Sequence, residues 1–432
     1  MKKIVLLFVC WMLAIGSWAQ SNENSATAAD FGTLYVQKGQ TVEVSIAITN
    51  TGTKAIRSFS YTIANGENAT AEKIVSARNL AVNETREYKI AFETGDEAGR
   101  RVQTFTITKV NGAENSASHG SATGIFFVIT EKAPVTPLVE EFTGTWCGWC
   151  PIGFDAMEEA SEWYRDKVAL IAVHCSDVME VGDFSEIAQR APYHPSAIVD
   201  RGQDFYPSSG DMSGQIDKSM RNKIATGVIE VSAEWTDESK TEIKIDTKTR
   251  FVISTDNGNY AIGFALTQDG MTGTGSSWAQ ANNLSGNSSY ADSNPYWYKA
   301  ASRVTGVTYN HVGVAAWGLV RGINGSVNPV IRADEEQLYT YNANISKKTK
   351  IQDKSKLKVI AILIDRESGT VVNAAQAKIS EEPTGVISQE SRVESQESIY
   401  DLSGRKISNL KSQTSNLPKG IYIKNGKKVL VK

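Results

Sequence analysis

Two cysteines at C-x-x-C spacing, Cys147 and Cys150, constrain the fold of this chain more than any other local feature. Residues 138–144 before them have the apolar pattern of a strand, whereas residues 151–166 after them carry apolar side chains at helical spacing. Pro151 suits the first turn of that helix, where its missing N–H costs little. The free N–H groups and the dipole of a helix N-terminus stabilise a thiolate. The pattern therefore predicts a reactive pair in which Cys147 is the nucleophile and Cys150 resolves the mixed disulfide.

The number of cysteines bears on two other interpretations of this pair. A disulfide-stapled scaffold would carry many more cysteines than Cys147, Cys150 and Cys175, which are those that follow residue 19. Zinc could use these three thiols and His174, but His174 and Cys175 are adjacent on a predicted strand and should point to opposite faces, so no metal is predicted. A structural Cys147–Cys150 disulfide without turnover stays open. Cys175 is expected to be a buried, inert side chain, with a second resolving role as the alternative.

The first residues have the pattern of a secretory signal peptide. Lys2 and Lys3 precede an apolar run over residues 4–15, and Ser17 and Ala19 are small residues at the positions a signal peptidase reads. The run is shorter than the roughly 20 residues that span a bilayer. We therefore expect export with cleavage after Ala19, and no transmembrane helix in the mature protein.

Composition excludes several classes of function. The 432 residues exceed what one core supports, and 41% hydrophobic and 22% charged residues are ordinary for globular domains. A formal net charge of −3 gives no support to nucleic-acid binding. The sequence has no nucleotide-binding glycine loop, serine-nucleophile motif or metalloprotease motif, so no cofactor is predicted.

Periodicity changes along the chain. Residues 32–130 form short segments with alternating apolar and polar side chains, residues 138–224 alternate between strand and helix patterns, and β character returns after residue 227. The stretch 270–294, rich in Gly, Ser and Asn, predicts a long loop whose length hints at function or flexibility. Trp297 and His311 are expected to have structural roles.

Residues 139–150, VEEFTGTWCGWC, resemble the active-site strand and turn of the thioredoxin superfamily. Trp146 matches the tryptophan that usually precedes the nucleophile in that family. Glu141 falls at the position of the family's buried acid, which implies proton transfer to or from Cys150. Gly148-Trp149 stands where thioredoxins have Gly-Pro, and this departure leaves the redox potential open.

The same resemblance implies a cis-proline opposite the cysteines, at the start of the next strand. Pro195 is the matching candidate, with Pro192 as the alternative. His194 would then lie near the sulfurs and could tune the thiolate. Together with His194, we expect Trp146 and Trp149 to form the surface that contacts a substrate.

Two further resemblances concern location. The segment FTGTWCGWCP at residues 142–151 is similar to a family of outer-membrane proteins related to a 28-kilodalton surface antigen, over roughly residues 135–380. The last 34 residues, with eight Lys or Arg and one Asp, are similar to C-terminal type IX secretion sorting domains. The resemblances imply the outer-membrane surface or the medium, with the periplasm as the alternative. A small β module without a sorting role is the other interpretation of the C-terminal segment.

The predicted fold class is a multidomain chain of α/β and all-β parts, with a thioredoxin-like fold flanked by immunoglobulin-like β-sandwich domains. The predicted boundaries are 1–19 for the signal peptide, 20–132 for an immunoglobulin-like sandwich, 133–226 for the thioredoxin-like domain, 227–380 for a second β-sandwich, 381–398 for a linker and 399–432 for the sorting-like module.

Two functions follow as hypotheses. The first is an exported thiol–disulfide oxidoreductase that acts on the thiols or disulfides of envelope or extracellular proteins. The second is a cell-surface binding protein or adhesin, in which the β domains bind a surface ligand and the Cys147–Cys150 disulfide is structural. A shared fold cannot choose between them.

Overall fold

The computed structural model describes residues 22–66 and 68–381, and the backbone of three C-terminal strands at 399–400, 420–424 and 427–431. The predicted signal peptide and most of the predicted 381–398 linker lie outside the described residues. The chain divides into two compact units, with the boundary between Glu381 and Glu382. The described residues are mostly β, which confirms the β character that the sequence predicts.

The first part of the chain forms two sheets, one ordered β1-β3-β7 and the other β2-β10-β8-β4-β5, with β6 paired to β4 and β9 to β8. Alternate side chains of these strands, including Ile46, Phe92 and Phe126, fill one core. The period-two pattern produces this core because successive strand side chains point to opposite faces. The strands are β1 (Ala26–Ala28), β2 (Gly32–Gln37), β3 (Thr41–Asn50), β4 (Ile56–Asn65), β5 (Asn68–Ala69), β6 (Lys73–Leu80), β7 (Thr85–Glu93), β8 (Gly99–Val110), β9 (Ala113–Glu114) and β10 (Ser121–Ile129).

The cysteine pair lies in a second region, where strands and helices alternate. Its elements are β11 (Leu138–Thr143), α1 (Pro151–Tyr164), β12 (Ala169–His174), α2 (Ser185–Ala188), β13 (Ser196–Val199), β14 (Asp204–Phe205) and α3 (Ser209–Asn222). β11 and β12 are parallel neighbours, β13 runs antiparallel on the other side of β11, and α1 packs against α3. All residues of β11 and β12 are buried, as expected of strands covered on both faces.

The sheet continues into the following strands without a break. β12 pairs in parallel with β20 at Ala172 and Val312, and the full order is β14-β13-β11-β12-β20-β17-β22-β23-β15-β16-β21. These later elements are β15 (Gly227–Trp235), β16 (Glu242–Phe251), β17 (Tyr260–Gln268), β18 (Gln280–Ala281), α4 (Pro295–Lys299), β19 (Arg303–Val304), β20 (Val312–Trp317), β21 (Glu336–Asn344), β22 (Leu357–Asp365) and β23 (Val371–Ser380). The predicted boundary at residue 226 thus falls within one continuous sheet, and the predicted domain limits stay predictions.

In the second compact unit, the described residues form one antiparallel sheet of β24 (Ile399–Tyr400), β25 (Gly420–Lys424) and β26 (Lys427–Val431). Within the described part of the chain, no helix has both the length and the apolar character needed to cross a bilayer.

Candidate functional site

A disulfide joins Cys147 and Cys150 at the N-terminus of α1, with their Cα atoms 5.4 Å apart. Cys150 is the residue that precedes the helix, and Pro151 occupies its first turn. The backbone N–H of Cys147 donates to the carbonyl of Gly144 at 3.0 Å, which closes the turn between β11 and the pair. Cys147 is only 4% exposed and Cys150 is fully buried.

The loop that leads into β13 lies beside this turn. The peptide bond between His194 and Pro195 is cis, and Ser196, the next residue, pairs with Phe142 at the end of β11. The ring of His194 lies 5.3 Å from that of Trp146, measured between centroids. The tertiary structure thus brings Pro195, His194 and Trp146 to the same edge of the sheet as the cysteines. The alternative, Pro192, has no cis bond.

Two tryptophans frame the disulfide and stay accessible. Trp146 is 49% exposed, and its indole N–H donates to the carbonyl of Cys175 at 2.8 Å. Trp149 is 39% exposed and packs against Tyr290, with the ring centroids 5.9 Å apart. Burial lowers the pKa of His194, and its Nε2 has no hydrogen-bond partner among the described residues. These three rings can contact a substrate that approaches the disulfide.

Glu141 is a completely buried carboxyl group on β11. Its neighbours across the sheet are Ala172 on β12 and Ala197 on β13, and these small residues leave room for its side chain. Burial raises the pKa of Glu141 to about 8, and the Thr143 hydroxyl offsets only a part of this shift. Neither carboxyl oxygen has a partner of ordinary hydrogen-bond geometry in the described part of the chain.

The Glu141 side chain faces the first turns of α1. A methyl group at Gly153 would lie 2.5 Å from Glu141 Oε1. Because Gly153 is three residues after Cys150, both lie on the same side of the helix. A protonated acid is therefore held under the turn that begins at the second cysteine.

Glu140, the residue before Glu141, lies on the other face of β11 and has a charged partner there. Successive strand residues point to opposite faces, and Glu140 forms a buried ion pair with Arg201 at 3.2 Å. Arg201 also donates to the carbonyls of Leu319 and Val320 at 2.6 and 3.1 Å. Glu140 thus has a cationic partner, whereas no ion pair forms at Glu141 within the described part of the chain.

A segment from the predicted loop 270–294 covers the cysteine turn. The backbone N–H groups of Ala281 and Asn283 donate to the carbonyls of Thr145 and Gly148, each at 2.8 Å. The Gln280 side-chain amide donates to the carbonyl of Cys147, also at 2.8 Å. Sequence reasoning missed these residues, although the unusual length of the loop was a signal.

Cys175, at the end of β12, is a free thiol. Burial, with the nearby acids Glu180, Asp177 and Glu141, raises its pKa to about 11. Its neighbour His174 donates from Nδ1 to Asp177 at 2.7 Å. The described residues hold no group of three or more His, Cys, Asp or Glu side chains arranged to bind a metal ion.

Comparison with known proteins gives partial structural likenesses. No protein-family model and no curated protein sequence matches the chain. The solved structure of HBP35 of Porphyromonas gingivalis is 17% identical, covering 69% of this chain and 99% of its own, with a TM-score of 0.43. A domain of the outer membrane lipoprotein Omp28 from the same organism is 18% identical over 37% of this chain and 93% of its own, with a TM-score of 0.20. The CARDB domain of the PF1109 protein from Pyrococcus furiosus is 16% identical over 24% of this chain and 89% of its own, also with a TM-score of 0.20. Likenesses of this size assign no function.

Proposed function

We propose that this chain is an exported thiol–disulfide oxidoreductase, in which residues 133–226 form a thioredoxin-like domain and Cys147 and Cys150 exchange with the thiols of other exported proteins. The observation that carries the proposal is the buried Glu141 carboxyl group beneath the turn at Cys150, which has no partner of ordinary hydrogen-bond geometry in the described residues. Burying a polar group without a hydrogen bond destabilises the folded protein. A structural disulfide needs no such acid, whereas strongly shifted acids are typical of sites that move protons.

In the oxidised protein, a substrate thiolate attacks Sγ of Cys147 and forms a mixed disulfide. The Cys147–Cys150 bond breaks, and Cys150 leaves as a thiolate. A second substrate thiolate then attacks the substrate sulfur of the mixed disulfide and releases Cys147 as a thiolate. The substrate dithiol loses two electrons to the pair and its two protons to solvent as the attacking thiolates form, and its own disulfide results. Solvent then restores the proton that Glu141 gives to Cys150. The reverse sequence reduces a substrate disulfide.

Glu141 supplies the proton in this scheme. With a pKa of about 8 it is mostly protonated at neutral pH, so it can donate to the Cys150 thiolate as that group leaves. In the reverse direction the ionised carboxylate takes the proton from the Cys150 thiol before Cys150 attacks Cys147. Trp146, Trp149 and His194 contact the substrate at the rim of the disulfide.

The location is part of the proposal. The signal-peptide pattern at residues 1–19 and the sorting-like segment at 399–432 support export to the outer-membrane surface or the medium. The substrates are then the thiols or disulfides of exported proteins, because these retain disulfides in oxidising compartments.

The reduction potential of the pair tests the proposal. Purified mature protein with Cys175→Ser, so that only the pair titrates, is equilibrated in glutathione buffers, and the remaining disulfide is measured by thiol labelling. We expect a value between about −270 and −120 mV, the range of thioredoxins and periplasmic oxidants. A value below about −300 mV identifies a structural disulfide and contradicts the proposal.

Substrate trapping gives a second, independent test. Cys150→Ser removes the resolving thiol, so mixed disulfides between Cys147 and substrates should accumulate. Cys147→Ser is the matched control, because it keeps the Cys150 thiol of the pair but removes the nucleophile. Equal capture by both variants would contradict the assigned roles.

The segment 280–283, which covers the cysteine turn, favours a second candidate function. This function is a surface binding protein with a structural disulfide. Gln280, Ala281 and Asn283 occupy three carbonyls of residues 145–148, and Cys147 is nearly buried. If the cover keeps thiols out, dithiothreitol should reduce the native disulfide only as fast as the protein unfolds. If the disulfide exchanges in the native state, reduction should be much faster than unfolding, and Gln280→Ala should accelerate it further.

A further inference from the structure

A cavity of about 370 Å³ lies next to the redox site, and Glu141 is one of the residues that line it. Phe154 and Glu158 line it from α1, Ala172 and His174 from β12, and Tyr296, Trp297 and residues 306–311 complete the lining. Its volume is in the range of sites for small ligands. We call it the α1 cavity.

Aromatic rings form much of the wall. Phe154 lies 5.7 Å from Tyr309 and 6.1 Å from Trp297, measured between ring centroids. Trp297 and Tyr309 are buried, whereas Tyr296 is largely exposed at the outer end. The negatively polarised faces of aromatic rings attract cations.

His174 lines the α1 cavity and has a ring nitrogen without a partner among the described residues. Its Nδ1 lies 2.7 Å from Asp177. Burial opposes ionisation of Asp177, but hydrogen bonds from His174, Thr145 and Met179 hold the pKa of this carboxyl below its ordinary value. Asp177 is thus a carboxylate that accepts the proton of Nδ1, and in a neutral imidazole this leaves Nε2 as an acceptor. That Nε2 is buried and has no partner among the described residues.

His311, whose backbone carbonyl accepts from the N–H of Ala172 on β12, also has an acid beside its ring. Its Nδ1 faces Asp269 at 3.5 Å. Burial lowers the pKa of His311, although Asp269 opposes the shift, so the ring is neutral at physiological pH. Its Nε2 is likewise buried without a partner in the described part of the chain. The α1 cavity is thus lined by two histidines whose buried Nε2 atoms lack a partner among the described residues, and each Nε2 is an acceptor when its ring is neutral.

The carboxyl groups that line the cavity determine whether it favours a cationic or an anionic ligand. Glu158 lines it and accepts a hydrogen bond from Asn310 at 2.7 Å. Asp155 also lines it and is held by Asn294 and Trp297 at 2.6 and 2.9 Å. No Lys or Arg lines the α1 cavity, so an anion would find no countercharge there.

We propose that the α1 cavity binds a small organic cation with several N–H donors, of the alkylammonium or alkylguanidinium class. The cation would donate to the buried Nε2 atoms of His174 and His311, face the carboxylate of Glu158 and lie against the rings of Phe154 and Trp297. A neutral alcohol of the same size offers one donor and no charge, and an anion adds acceptors where donors are needed. This site does not depend on thiol exchange at the cysteine pair.

The test uses oxidised mature protein, so that failure of the redox proposal does not affect the result. n-Butylguanidinium chloride is titrated by calorimetry, with 1-pentanol and sodium butyrate as the neutral and anionic comparisons. We expect a Kd near or below roughly 1 mM for the cation and at least about tenfold weaker binding of the two comparison compounds.

Imidazole nitrogen signals locate the bound cation. The chain has four histidines, and the ¹⁵N signals of Nε2 in His174 and His311 should shift on titration. His119 and His194 do not line the α1 cavity and serve as internal controls. Shifts confined to the controls, or none at all, would overturn the proposal.

A matched pair of variants tests the carboxylate. Glu158→Gln removes a charge that lines the cavity, and Glu162→Gln removes one from an exposed position one turn further along α1. We expect the first to weaken binding of n-butylguanidinium about threefold and the second to leave it unchanged. Equal effects of both variants, or equal affinity for the cation and 1-pentanol, would refute a cation site.

Discussion

Replacing Glu141 by Gln should remove much of the pH dependence of this protein's stability. The carboxyl group is completely buried, and its pKa is about 8 in the folded chain against 4.5 in the unfolded one. Gln keeps the size and the polarity of the side chain but cannot ionise. The difference between the two proteins therefore isolates the ionisation of Glu141.

The sign follows from proton binding in the two states. Below pH 4.5 the acid is protonated in both, so its ionisation costs nothing. As the pH rises from 4.5 to 8 the unfolded chain loses the proton while the folded chain keeps it, so stability falls. The pKa difference of 3.5, at about 1.36 kcal/mol for each pKa unit, corresponds to roughly 5 kcal/mol. Between pH 5 and pH 9, wild type should lose roughly 4 kcal/mol more of its free energy of unfolding than Glu141→Gln.

Urea unfolding of the oxidised protein at intervals from pH 5 to pH 9, followed by tryptophan fluorescence, measures this difference. Glu162→Gln is the control, because this acid is exposed on the same helix and should leave the pH profile unchanged. Parallel profiles for wild type and Glu141→Gln would refute the reasoning, since they would mean that Glu141 ionises in the folded protein as easily as in the unfolded one.

Three further perturbations test the packing around the site. Gly153→Ala should lower the free energy of unfolding by about 1–3 kcal/mol despite the better helix propensity of alanine, because the added methyl group meets Glu141 Oε1 at 2.5 Å, and thermal unfolding measures the loss. Arg201→Met should cost about 3–5 kcal/mol in urea unfolding, because it leaves Glu140 as an unpaired buried charge; an equally stable variant would contradict this assignment. Cys175, with a pKa of about 11, should react with iodoacetamide at pH 8 about a hundredfold more slowly than an ordinary thiol, and a normal rate of alkylation would show that it is not shielded.

Local sequence patterns were sufficient for the elements that hold the disulfide. The apolar run before Cys147 and the helical periodicity after Pro151 predict a strand, a turn and a helix, and the structure has β11 and α1 at these positions. Patterns of this kind are reliable because they depend on the nearest neighbours in the chain. The positions of Glu141 and Pro195 came from a family resemblance, which adds information that spacing alone does not contain.

The long-range contacts around the cysteine turn could not be predicted from the sequence. The length of the loop 270–294 marks it as unusual but does not show that Gln280 and Asn283 bond to the turn around Cys147, because these contacts join residues more than 130 positions apart. The same limit applies to the placement of His311 beside His174 in the lining of one cavity, while its expected structural role stays a prediction.

The sequence by itself determined the cysteine pair, the helix that follows it and the β character of the flanking segments, because each depends on local propensity and periodicity. Only the tertiary structure decided that, among the described residues, Glu140 has a charged partner and Glu141 does not. The two acids are adjacent and chemically identical, and they differ because one faces Arg201 and the other faces Gly153. Residues far along the chain decide which face of a buried strand has a compensating charge. The chemistry of this site depends on the fact that Glu140, and not Glu141, faces that charge.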